Sequence, residues 1–209
     1  MSLNTRYLTM PRKRRWLRTD EYADAADSLR KAAETARLVE GEIAEWKWLL
    51  IAVHSATQGM FVLALSFGNG LLTLKSSHAD DWLKAYQSGS PWPQKLGLDY
   101  FLELYAKSKK HVLSRASSQP QFVITSEHDK AIKNLNDLRN GFIHFGAQGW
   151  SIELAGIPTI CLRCLDVAEY LGWQSDVVRW RSVAQSKRAR RALNALRGRL
   201  RSLEREYQR

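Results

Sequence analysis

Three polar residues near the end of one predicted helix have the side chains that phosphate chemistry uses. Arg139, Asn140 and His144 fall within the run LRNGFIHF. A guanidinium can clamp a phosphate and offset charge that develops on it. An imidazole can take or give a proton near neutral pH, and Asn140 stands one turn before it, close enough to orient the ring or to touch a substrate. The run predicts a phosphate site, and a solvated helix face is the alternative.

The spacing of apolar residues predicts how this helix is oriented. At about 100° per residue, one narrow arc holds the apolar side chains, which we expect to pack inward. These are Ala131, Leu135, Leu138, Phe142 and Phe145. Arg139 lies beside the edge of that arc, and four polar residues lie on the far side, namely Asn136, Asp137, Asn140 and His144. The expectation is a helix with a core face and an opposite polar face.

A second histidine, His54, lies in a strongly apolar helical segment. It stands one turn before Gln58 and shares a side of the helical wheel with Lys47 and Ile51. It could extend into a groove near His144 and contact that residue without touching a substrate itself. Alternatively it is a core histidine, hydrogen-bonded to Gln58 or to a backbone carbonyl.

Positive charge is concentrated at the two ends of the chain. Residues 1–18 contain six Lys or Arg and no acid, and residues 176–209 contain eleven and three. Of the net charge of +11, this leaves −3 for the body. Such ends can track a phosphate backbone or keep a protein soluble. The residues predicted to contact nucleic acid are Arg12, Lys13, Arg14, Arg15, Lys187, Arg188, Arg190 and Arg191.

The periodicity predicts an all-α, up-and-down bundle of four core helices with accessory helices. Helices are expected over residues 21–40, 42–66, 80–86, 98–115, 126–144, 157–171 and from 185 onward. A short extended piece is expected over 150–154. The domain organisation that follows is a basic arm over 1–18, a helical bundle over 19–174, and a basic amphipathic helix over 175–209.

The last helix carries an a/d-type seam. Its members are Ala189, Leu193, Leu196, Leu200, Leu203 and Tyr207, spaced alternately by four and three residues. Such a seam can dock on its own bundle or pair with the same helix of a second subunit. Gly198 would weaken either arrangement.

Several other classes of protein are disfavoured. Cys161 and Cys164 have no accompanying histidine pair, so we expect buried reduced thiols and no metal site. The longest apolar stretch, residues 48–67, contains polar residues that suit a buried soluble helix better than a membrane span. The N-terminus lacks the apolar core of a secretory signal. The sequence predicts a cytoplasmic protein without membrane contact.

The run RNGFIH resembles the Arg-Asn-x-x-x-His signature of HEPN domains, which are small helical bundles of prokaryotic toxins, phage-defence systems and eukaryotic RNases. The likeness extends over roughly residues 40–172, through WKWLLIAVHSATQGMFVLAL, KSSHADDWLKAYQSG, LDYFLELYAK and LRNGFIHFGAQGWSIELAGIP. Together these segments are similar to one bacterial branch of HEPN-like proteins. The N-terminal arm and the last helix fall outside the resemblance.

The resemblance implies metal-independent RNA cleavage without a cofactor. His144 would be the general acid or base, Arg139 the phosphate clamp and Asn140 a positioning group, in a site completed across a homodimer interface. It also implies a defence or toxin–antitoxin role, with an antitoxin protein as a further partner. Many HEPN-like proteins are non-catalytic and bind RNA or nucleotides, so an interaction module that binds a protein partner or a nucleotide is the competing class. A DNA-binding regulator is a third, less favoured option because no recognition-helix arrangement is evident.

Overall fold

Local capping signals decide where several helices begin. The Asp20 carboxylate accepts a hydrogen bond from the Ala23 backbone N–H at 2.8 Å and so caps the first helix. Thr125 and His128 form a reciprocal capping box at the start of another. A third helix has Pro158 in its first turn, where no backbone N–H is needed.

The computed structural model describes residues 16–17, 19–114, 122–144, 146–147 and 149–207. Within these ranges there are seven α-helices and no β-strand, which confirms the all-α bundle. The helices are α1 Glu21–Thr35, α2 Glu45–Leu65, α3 Ser76–Ser88, α4 Phe101–Ser108, α5 Ser126–Ile143, α6 Ile157–Glu169 and α7 Val183–Tyr207. A 3₁₀ turn spans Leu71–Thr73, and π-helical turns over Lys109–Leu113 and Tyr170–Gln174 extend α4 and α6.

Helix α2 is the centre of the bundle. It packs against α1, α4, α5 and α6, and most of its side chains are buried. Its length and composition would be enough to cross a membrane, but most of its apolar stretch lies inside the bundle. An apolar helix surrounded by neighbours needs no polar face, which explains why hydrophobic residues cover its circumference.

Two elements differ from the sequence-based expectation. Helix α3 begins at Ser76, earlier than predicted, and ends at Gly89, whose φ of +66° suits glycine. The predicted helix over 80–86 was therefore too short. The expected strand-like piece over 150–154 pairs with no strand among the described residues.

Helix α7 docks on its own bundle through the predicted seam. Five of the seam residues are at most 2% exposed, namely Ala189, Leu193, Leu196, Leu200 and Leu203. Tyr207 is partly buried, and its hydroxyl accepts a hydrogen bond from Trp46 Nε1 at 3.3 Å. The helix packs against α1 and α6. The seam is therefore occupied within one chain, and the alternative of pairing it with a second subunit is wrong.

Ion pairs flank that seam and connect α7 to neighbouring parts of the bundle. Arg197 is largely buried and binds both Asp166 and Glu169 of α6. Arg199 binds Glu40 and donates to the Ala36 carbonyl at 3.2 Å. Because α1, α6 and α7 share one core, the basic C-terminal segment is integrated with the helices that precede it.

Candidate functional site

The polar residues of α5 line a groove. Two adjoining cavities of about 500 and 430 Å³ share His54, Gln58, Leu98 and Arg139 as wall residues. The first is completed by the 98–103 segment and by Asn136 and Asn140, and the second by the start of α1. We call the two cavities together the Arg139 groove. The prediction of a simple outer polar face was incomplete, because α2 and the 98–103 segment stand opposite part of it.

Arg139 is the central cation of this groove. It is half-buried, and its Nη1 donates a hydrogen bond to Asn140 Oδ1 at 2.9 Å. Among the described residues no carboxylate lies within 4 Å of its guanidinium. A guanidinium carries five N–H donors, so most of them remain available to an anion that enters the groove.

Carboxylates surround Arg139 at a greater distance, and several are already neutralised. Asp20 and Glu21 approach Arg181 at 3.1 and 3.7 Å. Asp99 pairs with Lys107 at 2.6 Å. Two further acids on the groove wall, Asp24 and Glu103, are exposed and have no ion pair among the described residues. A polyanion would need a further cation beside Arg139 to bind here strongly.

His54 lies in the wall of the groove beside Arg139. It is only 3% exposed, and its ring stacks on Phe101 with the centroids 4.0 Å apart. Burial and then the positive charge of Arg139 lower the pKa of His54 to about 4, and hydrogen bonding to the Asn136 side chain opposes both effects. The imidazole is therefore neutral at pH 7, and its Nε2 has no hydrogen-bond partner among the described residues.

The structure places His54 near Arg139 and away from His144. Neither a ring contact nor a hydrogen bond joins the two histidines in the described part of the chain. The expected hydrogen bond from His54 to Gln58 or to a backbone carbonyl is also missing there. The sequence found His54 through its polarity in an apolar helix, but periodicity could not indicate which neighbour it would meet.

His144 lies outside the groove. It is exposed, directly follows α5, and donates its backbone N–H to the Asn140 carbonyl at 2.9 Å. Its side chain does not hydrogen-bond to Asn140, whose Oδ1 instead accepts from Arg139. On an ideal helix His144 is about 140° around from Arg139 and about 7.5 Å further along. One chain therefore unites Arg139 with Asn140 but leaves His144 on a separate surface.

The sequence interpretation missed one wall of the groove. Residues 98–103 were expected to lie inside a helix, but α4 begins only at Phe101. The Asp99 backbone N–H donates to the Thr73 carbonyl at 2.9 Å, and the Lys75 N–H donates to the Gly97 carbonyl at 3.1 Å. These bonds hold the segment in an extended form beside α5. Gly97, immediately before it, was the available signal for a break.

The predicted nucleic-acid contacts fall into three groups. Arg12, Lys13, Arg14 and Arg15 lie outside the described residues. On α7, Lys187, Arg188 and Arg191 are exposed without an ion pair among the described residues. Arg190 is also exposed but approaches Glu169 at 3.9 Å, so it is partly committed to α6.

The described residues include no cluster of His, Cys, Asp and Glu suited to a metal ion. Cys161 and Cys164 are fully buried, and burial raises the pKa of Cys161 to about 12. The two thiols are thus unreactive core residues at neutral pH.

No protein-family model, curated protein or solved structure matches this chain. The resemblance to HEPN domains rests on the residues quoted for it.

Proposed function

We propose that the protein is a HEPN-like, metal-independent RNA endonuclease of a bacterial defence or toxin–antitoxin system, acting in the cytoplasm. The observation that carries the proposal is the set of contacts that Arg139 makes. Its guanidinium lines an open groove and is bonded to a neutral amide, with no carboxylate in contact among the described residues. A positioned cation with spare N–H donors can bind a phosphate and offset the charge of its transition state.

The proposed reaction needs three groups. The RNA 2′-hydroxyl attacks the adjacent phosphorus while the bond to the leaving 5′-oxygen breaks, which leaves a 2′,3′-cyclic phosphate and a 5′-hydroxyl. Arg139 stabilises the phosphorane-like charge, and Asn140 orients Arg139 through its 2.9 Å hydrogen bond. His144 takes the proton from the 2′-hydroxyl as a general base and, as an imidazolium, gives a proton to the leaving 5′-oxygen.

A second copy of the chain is part of this proposal. His144 of one chain does not line the groove that contains Arg139. Two copies that bring their α5 ends together would supply the missing imidazole and a second guanidinium. That second guanidinium also offsets the negative charge of Asp24 and Glu103 on the groove wall. The partners proposed are therefore a second subunit, RNA and an antitoxin protein.

A second candidate function has its own support. The same separation of His144 from Arg139, together with the exposed acids on the groove wall, suits a non-catalytic module. Such a module would hold a nucleotide or a protein partner in the groove without cleaving RNA.

RNA cleavage in the presence of EDTA tests the proposal. We expect the wild type to cut, and Arg139→Ala and His144→Ala each to lose at least about a hundredfold, the usual contribution of a general acid or base. Lys133→Ala is the matched control, because Lys133 is an exposed cation of α5 that does not line the groove. The products should end in 2′,3′-cyclic phosphate, and 2′-deoxy at the cut position should block the reaction.

The outcomes separate the two candidates. RNA that is bound through Arg139 but never cut would establish the binding module instead. If neither variant changes RNA binding or cleavage, the groove takes no part in RNA chemistry and the endonuclease proposal fails.

A further inference from the structure

The outward side of α7 carries a row of exposed cations. These are Lys187, Arg188, Arg191, Arg201 and Arg205, and we call them the α7 cationic face. Apart from Arg190, the other exposed residues between Lys187 and Arg205 are small, namely Asn194, Ala195 and Gly198. From Lys187 to Arg205 an α-helix rises about 27 Å, so the face is long, straight and free of bulky side chains.

The helix separates its cations into two sets. Arg197 and Arg199 are largely buried and bind carboxylates outside α7, and the exposed Arg190 approaches Glu169 of α6 at 3.9 Å. The cationic face has no carboxylate within 4 Å among the described residues. Arg201 comes nearest to acids, since it shares a shallow cavity with Asp166 and Glu204. These three arginines form ion pairs beside the apolar seam that docks α7, whereas the five outward cations have no such ion pair among the described residues.

The composition of the face indicates what it binds. A helix that lies on a membrane needs large apolar side chains beside its cations, but the leucines of α7 are all buried and only Val183, its first residue, exposes a large apolar side chain. Single-stranded nucleic acid is usually held by aromatic rings on which bases stack, and this face has none. The ligand that suits this face is an ordered, rigid row of phosphates. A double helix presents such a row without the entropic cost of ordering a flexible strand.

We propose that the α7 cationic face binds the phosphate backbone of double-helical nucleic acid without reading its sequence. The face contains no residue of the Arg139 groove, so this binding site is separate from the proposed catalytic function. It adds Arg201 and Arg205 to the contacts expected from the sequence and removes Arg190, which is held by Glu169.

The test is the salt dependence of duplex binding by the full chain. Fluorescence anisotropy would follow binding to a 20-base-pair RNA duplex and to the same DNA duplex over a series of salt concentrations. Each lost phosphate contact reduces the slope of log K against log salt by about 0.9. The triple variant Lys187→Gln, Arg191→Gln, Arg205→Gln should therefore flatten the slope by about 2.7. An unchanged melting temperature would show that the bundle is intact.

A second triple variant removes the same charge elsewhere. Arg30→Gln, Lys84→Gln and Lys130→Gln alter exposed cations that pair within their own helices, and the slope should stay at the wild-type value. Neither triple variant changes a residue of the Arg139 groove, which keeps this test distinct from that of the groove.

A flatter slope for the α7 triple variant with either duplex supports the proposal. The duplex that binds more tightly at equal salt, RNA or DNA, is the one that we expect the protein to bind. The proposal is overturned if the wild type binds no duplex at low salt, or if the two triple variants behave alike. Preferential binding to single strands or to anionic phosphatidylserine vesicles, lost in the α7 variant, would equally overturn it.

Discussion

At the scale of single residues, His54 is the side chain whose environment is least typical of its type. It is a buried imidazole with an unpartnered Nε2, stacked on Phe101 and close to a guanidinium. Burial and a neighbouring cation both disfavour a second positive charge. The site thus keeps His54 neutral, and protonation there would place two cations side by side in the groove wall.

This neutrality makes stability depend on pH. The folded pKa of His54, about 4, lies below that of an exposed histidine, so the unfolded chain binds more protons between about pH 6.5 and 4. The free energy of unfolding should consequently fall as pH drops through that window, by about 3 kcal/mol in total from this residue. Above pH 7 the effect should vanish.

Urea unfolding at several pH values measures this effect. His54→Gln cannot be protonated, so the variant should lose less stability than the wild type between pH 7 and 4.5. His144→Gln, which changes an exposed histidine, should retain the wild-type dependence. Equal pH dependence in the His54 variant and the wild type would show that His54 is not held neutral by its surroundings.

At the scale of elements, the bundle depends on a close approach of α1 and α2. A Cβ placed on Gly59 would lie 2.8 Å from the Ala25 Cβ and 3.0 Å from its Cα. Backbone and Cβ atoms of a packed helix cannot move aside as the end of a long side chain can. The crossing of these two helices therefore requires glycine at 59 and a small residue at 25.

Two glycine substitutions should change stability in opposite directions. Gly59→Ala should destabilise the protein by about 1–3 kcal/mol, because it overpacks the contact between α1 and α2. Gly198→Ala should stabilise it by about 0.5–1 kcal/mol, since that helical position is open and alanine costs less backbone entropy. Chemical denaturation measures both, and destabilisation by Gly198→Ala would contradict the exposed placement of that residue.

The sequence predicted where the helices lie along the chain better than it predicted which elements pack against each other. The helix starts at residues 21 and 126 could be located because capping is encoded locally, and the α7 seam was visible because buried residues repeat with the helical period. Periodicity gives the angle of a side chain but not the element that it meets. This is why the docking of α7, the groove opposite α5 and the extended segment before Phe101 emerged only from the structure.

The core stripe of α5 shows the same limit. Leu135 is fully buried, but Leu138 and Phe142 are only partly buried, and Phe142 packs on Trp150 with the ring centroids 4.8 Å apart. The fully buried Ile132 was not among the predicted core residues. Periodicity cannot place the loop after α5, whose Trp150 covers Phe142 in the C-terminal half of the helix.

At the scale of the whole molecule, the proposed site requires two copies of the chain. Their contact cannot use the α7 seam, which is occupied within one chain. Exposed apolar side chains are available instead on the groove wall, at Tyr100 and Leu102, and at the end of α5, at Ile143. We expect the dimer interface to include this surface.

Light scattering at micromolar concentration should give twice the chain mass of 24.0 kDa. Ile143→Glu should shift the protein toward the monomer, because it would bury an unpaired charge in the interface. Val183→Glu is the matched control, since Val183 is an exposed apolar residue on the outward side of α7. A wild-type protein that stays monomeric at these concentrations would argue against a site shared between subunits.

The most direct measurement of the central claim mixes two inactive subunits. Arg139→Ala and His144→Ala chains, unfolded and refolded together, would form dimers in which one chain retains the guanidinium and the other the imidazole. We predict that RNA cleavage in EDTA recovers at least about tenfold over either variant alone, a part of the roughly hundredfold acid–base contribution. Refolding either single variant with the double variant Arg139→Ala, His144→Ala should restore nothing. If mixed dimers form but cleave no faster than the single variants, Arg139 and His144 of different subunits do not act together.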